Sequence, residues 1–203
     1  MIKTIFSKYF MLLYVSIMFT TTGVLSAQTL KINPRTSTMT ILGTTNVHNF
    51  ETKVTQISGE LVLNSSKKVE SMSVQVPVKS IKSKEKMMDT KTYEAFVAEK
   101  NPNISFRLTD ASSIKVTGQE IDVTVTGNLT MAGATKKISF KSSGKLTKAG
   151  VYEFKGNIPL KMTDFKMSPP TAMMGMMKVG DGITLKYDVF LEGNTEIGAL
   201  LDK

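Results

Sequence analysis

The feature that most constrains this chain is an alternation of apolar and polar side chains that begins near Ser37 and recurs in segment after segment. In the clearest segment, residues 183–191, apolar side chains occupy every odd position and polar side chains most of the even ones. A period of two predicts a β-strand with one face buried and the other in water, as in antiparallel sheets. The same period marks segments 72–78, 104–109, 121–131 and 152–163, and weaker strand patterns lie in 37–43, 58–63 and 137–146. The pattern therefore predicts about eight strands.

Glycine-containing turns separate these strands, at Thr117–Gly118, Ala132–Gly133, Ala149–Gly150 and Gly180–Gly182. Two prolines, Pro77 and Pro159, fall on the polar positions of predicted strands. Because proline cannot donate to a sheet ladder, each of them predicts a bulge or a weakly paired position.

One segment departs from the alternation. From Lys86 to Glu99 the apolar residues fall at helical spacing. Asp89 is the predicted N-cap, with Met88 and Tyr93 forming a hydrophobic staple across it. Asn101–Pro102 is predicted to end the helix, because the residue before a proline is pushed out of the α region. The sequence thus predicts a short helix in the connection between the third and fourth strands.

Long strands with one apolar face each can close into a barrel, which removes exposed edges. An eight-stranded barrel has room inside for side chains or for one small ligand. A membrane barrel would instead carry its apolar band and aromatic girdles on the outside, and this chain has no tryptophan. We therefore predict an all-β fold, an eight-stranded antiparallel barrel with an apolar interior.

The first 27 residues have the order of a secretory signal peptide. Two lysines precede an apolar run from Tyr9 to Phe19, and Ser26–Ala27 supplies small residues for cleavage. The run is shorter than the roughly 20 apolar residues of a membrane span. The chain has no cysteine, so it has neither disulfides nor a lipid-modified cysteine after cleavage. We predict a signal peptide over 1–27 and one exported domain over 28–203, periplasmic or secreted.

The charge excludes one class of partner. The formal net charge is +9, but the lysines are scattered and only segment 79–86 approaches a cluster. Nucleic-acid binding requires clustered basic residues with interleaved aromatic ones. We therefore predict no nucleic-acid partner and at most a peripheral contact with an anionic membrane. A homodimer is left open.

Six short motifs follow one another along the chain. They are Gly43–Phe50, Val76–Ile81, Met87–Lys91, Pro102–Phe106, Gly127–Lys136 and Met162–Phe165. In this order they resemble the YceI-like family of exported, lipocalin-like proteins that bind polyisoprenoids. The resemblance extends from about Leu30 to Gly193 and is strongest at Gly127–Lys136. It implies an extended barrel around a long apolar ligand, such as a quinone tail or a polyprenyl lipid, with no cofactor other than that bound lipid.

Two sets of residues are the predicted ligand-binding residues. The parity of the strands assigns the wall of the cavity: Val74, Val76, Phe106, Leu108, Val123, Val125, Phe154, Ile158, Leu160, Leu185, Tyr187 and Val189. The resemblance and the loop positions assign the entrance: His48, Phe50, Met87, Met88, Tyr93, Phe96, Phe165, Met173, Met174, Met176 and Met177.

His48 is the only histidine. A nucleophilic triad would also need a placed serine or cysteine and a carboxylate, and the chain lacks a Gly-x-Ser-x-Gly elbow. A zinc site needs three or four ligands of the histidine, cysteine or carboxylate type. The favoured interpretation is an imidazole that hydrogen-bonds near the barrel mouth while packing on Phe50. A polar contact to a ligand head group remains open, and no catalytic residue or metal ligand is predicted.

The segment 162–177 contains six methionines. Flexible, polarizable methionines are typical of promiscuous apolar openings, whereas clustered thioethers also suit Cu(I). The sequence therefore favours a non-enzymatic protein that carries or sequesters a lipid. One alternative is a methionine-based Cu(I)-binding periplasmic protein. The other is a purely structural barrel whose interior is filled and which binds no ligand.

Overall fold

A computed structural model describes residues 28–193, apart from Ser65, Lys67 and Ala149. The predicted signal peptide over 1–27, the end of the predicted domain beyond residue 193, and Ala149 of one predicted turn lie outside the described residues.

The described chain is made almost entirely of strands, with one α-helix. The strands are β1 Gln28–Ile32, β2 Thr38–Thr45, β3 Asn49–Val54, β4 Ser58–Leu63, β5 Val69–Pro77, β6 Ile81–Lys82, β7 Asn103–Thr117, β8 Glu120–Met131, β9 Ala134–Lys148, β10 Val151–Lys161, β11 Thr171–Ala172 and β12 Met177–Glu192. The helix α1 is Lys86–Phe96, and short 3-10 turns lie at Val78–Ser80, Met162–Phe165 and Met173–Gly175.

Eight strands form the closed antiparallel barrel that the alternation predicts. Their order around the ring is β1, β4, β5, β7, β8, β9, β10 and β12, and β12 pairs again with β1. The ring closes where Ile32 of β1 lies opposite Leu191 of β12. β2 continues along β12 in the same direction as β1, with Met39 opposite Tyr187, and β3 and β6 extend the sheet beyond β2.

The strand count and the position of the helix differ from the prediction. β1, β3, β6 and β11 are not among the predicted strands, and α1 follows the sixth strand rather than the third. β1 and β3 are short, and the two-residue strands β6 and β11 are too short to show a period of two. They pair because longer neighbours present a free ladder edge.

The start of α1 also corrects the prediction. Glu85 is the N-cap residue, and Asp89 lies within the first turn. The Asp89 carboxylate accepts hydrogen bonds from the backbone N–H and the hydroxyl of Ser83, at 2.7 and 2.8 Å. Asp89 is therefore wrong as an N-cap, and the staple predicted across it falls inside the helix. The helix ends at Phe96, and its C-cap Val97 has a left-handed φ of 50°, well before the proline predicted to stop it.

The predicted turn at Ala132–Gly133 is confirmed, and the one predicted at Gly180–Gly182 is wrong. Ala132 and Gly133, both with positive φ, join β8 to β9 as a two-residue hairpin turn of the type that matches strand twist. Pro159 lies in the part of β10 that pairs with β12, beyond the last pairing of β10 with β9. The segment Gly180–Gly182 is not a turn: it lies inside β12, where the register with β2 shifts between Val179 and Ile183. Glycines mark a bulge there rather than a reversal.

Candidate ligand-binding cavity

The interior of the barrel holds a cavity of about 190 Å³. Its walls come from every strand of the closed ring and from β2, β3 and β6, and they carry 28 side chains. Only two of these side chains, Ser142 and Tyr187, have a polar atom. A cavity of this composition binds by excluding water from apolar groups rather than by recognising charge.

All twelve residues of the predicted wall line this cavity. That result follows from the period of two, because every second side chain of an inward-facing strand points to the same interior. That these residues contact a ligand stays a prediction. Sequence reasoning missed Ile138, Phe140 and Ser142 of β9, which also line the cavity and alternate with exposed residues. Their positions in the period of two could have identified them, because the strand itself was correctly predicted.

A second cavity, of about 70 Å³, lies beside α1. Four residues of the predicted entrance line it: Phe50, Met88, Phe96 and Met177. Ile41 of β2 and Ile81 of β6 line both cavities. The two cavities are therefore neighbours, with these two isoleucines between them.

His48 lines neither cavity. It is exposed in the turn between β2 and β3, where the Thr45 N–H donates to the His48 carbonyl at 2.8 Å. The His48 N–H in turn donates to the Thr45 hydroxyl at 3.0 Å. The backbone of His48 thus closes a hairpin, while its imidazole faces solvent.

Other residues of the predicted entrance also lie away from the cavities. Phe165 is only 1% exposed and belongs to the core. The Tyr93 hydroxyl lies between the carbonyls of Lys79 and Ile81 and accepts a hydrogen bond from the ammonium of Lys82 at 2.7 Å. Met87 is exposed on α1. Loop position alone did not distinguish these roles.

Three methionines of the predicted entrance form an exposed loop. Met173, Met174 and Met176 are 61%, 101% and 66% exposed, and the first two have the left-handed φ values of 52° and 53°. The Asn46 side chain fixes this loop by donating to the Met176 carbonyl at 2.9 Å and accepting from the Lys178 N–H at 2.8 Å. Val47, next to Asn46, is 69% exposed. We call Val47, Met173, Met174 and Met176 the methionine patch.

The two polar side chains of the main cavity lie close together. Tyr187 is 9% exposed and packs edge-on against Phe140, with ring centroids 6.1 Å apart. Burial raises the pKa of the Tyr187 phenol, and the nearby Ser142 hydroxyl opposes that shift. Among the described residues, no group forms a hydrogen bond of good geometry with the phenol oxygen. Ser142, 5% exposed, donates instead to the Lys155 carbonyl across a long 3.4 Å.

The family model of the YceI-like domain matches residues 30–191. The chain belongs to the YceI-like family. The resemblance of the sequence motifs to this family is thereby confirmed. In this chain the YceI-like fold is the closed barrel with its apolar interior. A comparison with curated proteins returned no match.

Solved structures share this YceI-like fold at low identity. The BcnA protein of Burkholderia cenocepacia is similar with a TM-score of 0.62 and 20% identity, over 78% of this chain and 98% of that one. A polyisoprenoid binding domain from Saccharophagus degradans has a TM-score of 0.63 and 10% identity, over 83% and 99%. A YceI protein of Campylobacter jejuni has a TM-score of 0.55 and 20% identity, over 68% and 82%.

Neither a metal site of ordinary ligands nor a membrane-spanning helix accompanies the YceI-like barrel in the part of the chain that the structure describes. No group of three or more histidine, cysteine, aspartate or glutamate side chains converges there, and no helix is long and apolar enough to cross a bilayer.

An ion-pair network on the outside of the barrel involves Glu153 of β10. Its carboxylate lies 2.7 Å from the Lys155 ammonium and 3.0 Å from that of Lys145, and Lys155 also reaches Asp188 at 3.1 Å. The hydrogen bonds from Lys155 and then Lys145 lower the pKa of Glu153. The network links β9, β10 and β12 at the level of the Tyr187 phenol.

Proposed function

We propose that this protein binds a long apolar or amphipathic lipid inside its barrel and carries or sequesters it without catalysis. The observation that supports the proposal is the cavity wall, in which 26 of the 28 lining side chains are purely apolar. Each methylene removed from water contributes roughly 0.8 kcal/mol, so a few prenyl units bind firmly without any polar contact.

An isoprenoid chain, of the quinone or polyprenyl type, is the ligand class that we propose. The solved domain from Saccharophagus degradans is described as polyisoprenoid binding. Its fold is similar to that of this chain, and a slender branched chain suits a cavity lined by the branched side chains of valine, leucine and isoleucine. A longer chain would pass Ile41 and Ile81 into the second cavity.

The proposed setting is outside the cytoplasm, in the periplasm or beyond it. The basic, apolar and small-residue order of residues 1–27 supports export. The methionine patch would make a peripheral contact with a membrane, where a carrier loads or releases its lipid.

The test compares two tryptophan substitutions at adjacent positions of β12. Leu185 lines the cavity, whereas Lys186 is exposed on the other face. The purified, delipidated protein is loaded with the neutral dye N-phenyl-1-naphthylamine, which geranylgeraniol then displaces. We expect L185W to weaken geranylgeraniol binding by at least about 10-fold, equivalent to about 1.4 kcal/mol, and K186W to leave it unchanged. Equal binding by both variants would show that the ligand lies elsewhere, and no binding by the unaltered protein would favour a filled structural barrel.

A Cu(I) site is the second candidate, since five methionines line the second cavity: Met88, Met131, Met162, Met167 and Met177. Thioether sulfur is a soft ligand that suits Cu(I), whereas methionine also fills irregular apolar gaps. Competition with a Cu(I) chelator separates the two. A copper site in this cavity predicts that leucine at Met88, Met131, Met162, Met167 and Met177 abolishes Cu(I) binding while geranylgeraniol binding survives. Absence of Cu(I) binding by the unaltered protein would leave the methionines as packing groups.

A further inference from the structure

The Tyr187 phenol packs over a glycine of the neighbouring strand, which has no side chain to occupy that space. Gly156 of β10 lies directly opposite Tyr187 of β12 in the ladder, and a Cβ on Gly156 would collide with the phenol oxygen. With only hydrogen at Gly156, the ring lies across β10 toward Ser142 of β9. Ser143 and Lys155 form the last pair between β9 and β10, so the phenol sits where these strands begin to separate.

The phenol oxygen has an unmet hydrogen bond. It is buried from solvent, and no hydrogen bond of good geometry reaches it from the residues that the structure describes, although the Ser142 hydroxyl lies close enough to affect its pKa. A buried donor without a partner is costly, and native proteins satisfy nearly all such groups. An acceptor oxygen that enters from the cavity would satisfy this donor.

Ser142 completes a pair of hydroxyl groups at this point. Its hydroxyl lines the same cavity, and its bond to the Lys155 carbonyl is long at 3.4 Å, where hydroxyl donors prefer about 2.7–2.8 Å. The serine can turn toward a better acceptor at little cost. Two hydroxyl groups thus lie close together at the wall of an otherwise apolar space.

We propose that Tyr187 and Ser142 bind a neutral carbonyl oxygen carried by the lipid, deep inside the barrel. The proposal rests on the proposed function and narrows its ligand to an isoprenoid ketone or quinone. The cavity lining contains no cationic side chain, and a charged head group buried there would lack a counterion. Burial raises the pKa of the phenol, which keeps it a neutral donor.

The experiment measures two matched probes. Farnesylacetone is an isoprenoid methyl ketone, and its hydrocarbon counterpart has a methylene in place of the carbonyl. Affinities come from displacement of N-phenyl-1-naphthylamine from delipidated full-length protein and from Y187F, S142A and Y152F. Tyr152 is the control because it lies on β10 outside the cavity lining.

We expect Y187F to lose roughly 5- to 30-fold in affinity for the ketone, the range for one buried hydrogen bond, and to bind the hydrocarbon within about 2-fold of the unaltered protein. S142A should lose less, and Y152F should lose nothing for either probe. Equal loss for ketone and hydrocarbon, or no loss for the ketone in Y187F, would overturn the proposal. The latter result would mean that an internal water satisfies the phenol.

A second measurement does not depend on any variant folding. The infrared C=O stretch of ¹³C-labelled farnesylacetone bound to the unaltered protein should lie at lower frequency than that of the same ketone in hexane, because a hydrogen bond weakens the C=O bond. A bound stretch at the frequency found in hexane would contradict the proposal. If neither probe binds the unaltered protein, the proposed lipid-binding function itself fails; if both bind but Y187F does not discriminate between them, only the carbonyl site fails.

Discussion

Gly156 and Tyr187 face each other across the β10–β12 ladder, and the tyrosine ring covers the glycine. We expect G156A to lower the free energy of unfolding by about 1–3 kcal/mol, because the added methyl group overpacks a filled space. Denaturant unfolding measures this effect. G182A on β12 is the matched control, since a Cβ there meets no atom within 4 Å. Similar stability of the two variants would show that the Tyr187 ring can shift to make room for the added methyl group.

Ile41 tests whether the two cavities form one path. Truncation to alanine should join them, so I41A should gain affinity for long prenyl alcohols relative to short ones. The measurement is dye displacement with geraniol, farnesol and geranylgeraniol. L42A is the control, because Leu42 is the same size and lies on the outer face of the same strand. An unchanged ratio of affinities in I41A would mean that the ligand occupies the main cavity alone.

The Glu153 network predicts sensitivity to acid. The hydrogen bonds from Lys155 and Lys145 lower the pKa of Glu153 below its ordinary 4.5. A lowered pKa in the folded state means that the network stabilises the fold above pH 4.5, and that this contribution is lost as the pH falls through the folded-state pKa.

E153Q should therefore be less stable than the unaltered protein at neutral pH by about 1 kcal/mol, since both lysines are half exposed and screened. The difference should vanish at low pH. Urea unfolding across the pH range measures it, with E51Q as the control because Glu51 is exposed on β3. A difference that is independent of pH would contradict this explanation.

The methionine patch predicts contact with a membrane surface. Replacing Met173, Met174 and Met176 by glutamine should weaken binding to vesicles that contain phosphatidylglycerol and slow the release of a fluorescent prenyl lipid into them, because the loop loses its apolar side chains. Vesicle flotation and fluorescence transfer provide the two measurements. The control replaces Ile114 and Val116 by glutamine, since both are exposed near the opposite end of the barrel. If the control slows release as much as the methionine variant does, the patch is not the contact.

The wall of the cavity could be predicted from the sequence because it depends on local parity. Along β12 each second residue, from Ile183 to Leu191, is apolar, and this decides which side chains face inward. The hairpin at Ala132–Gly133 was equally local. The prediction of a turn at Gly180–Gly182 is wrong because two glycines suit a β-bulge as well as a reversal of the chain. Only the register with β2 distinguishes the two.

The positions of His48 and of the methionine patch, and the proximity of Tyr187 to Ser142, could not be predicted because they depend on long-range contacts. His48 is exposed in a hairpin that its own backbone closes. The loop of the methionine patch is fixed by the Asn46 side chain, which is distant in sequence. The unmet hydrogen bond of Tyr187 requires the register that places Gly156 opposite it and Ser142 beyond. None of these relationships is visible in the residues next to each one along the chain.

Native mass spectrometry of the exported protein, recovered from the periplasm of its expression host, tests the central claim most directly. The claim predicts a folded protein that carries an additional apolar mass, released by collisional activation and much less abundant in L185W purified in the same way. A single mass equal to that of the bare chain, with no uptake of geranylgeraniol or farnesylacetone when either is added, would contradict it.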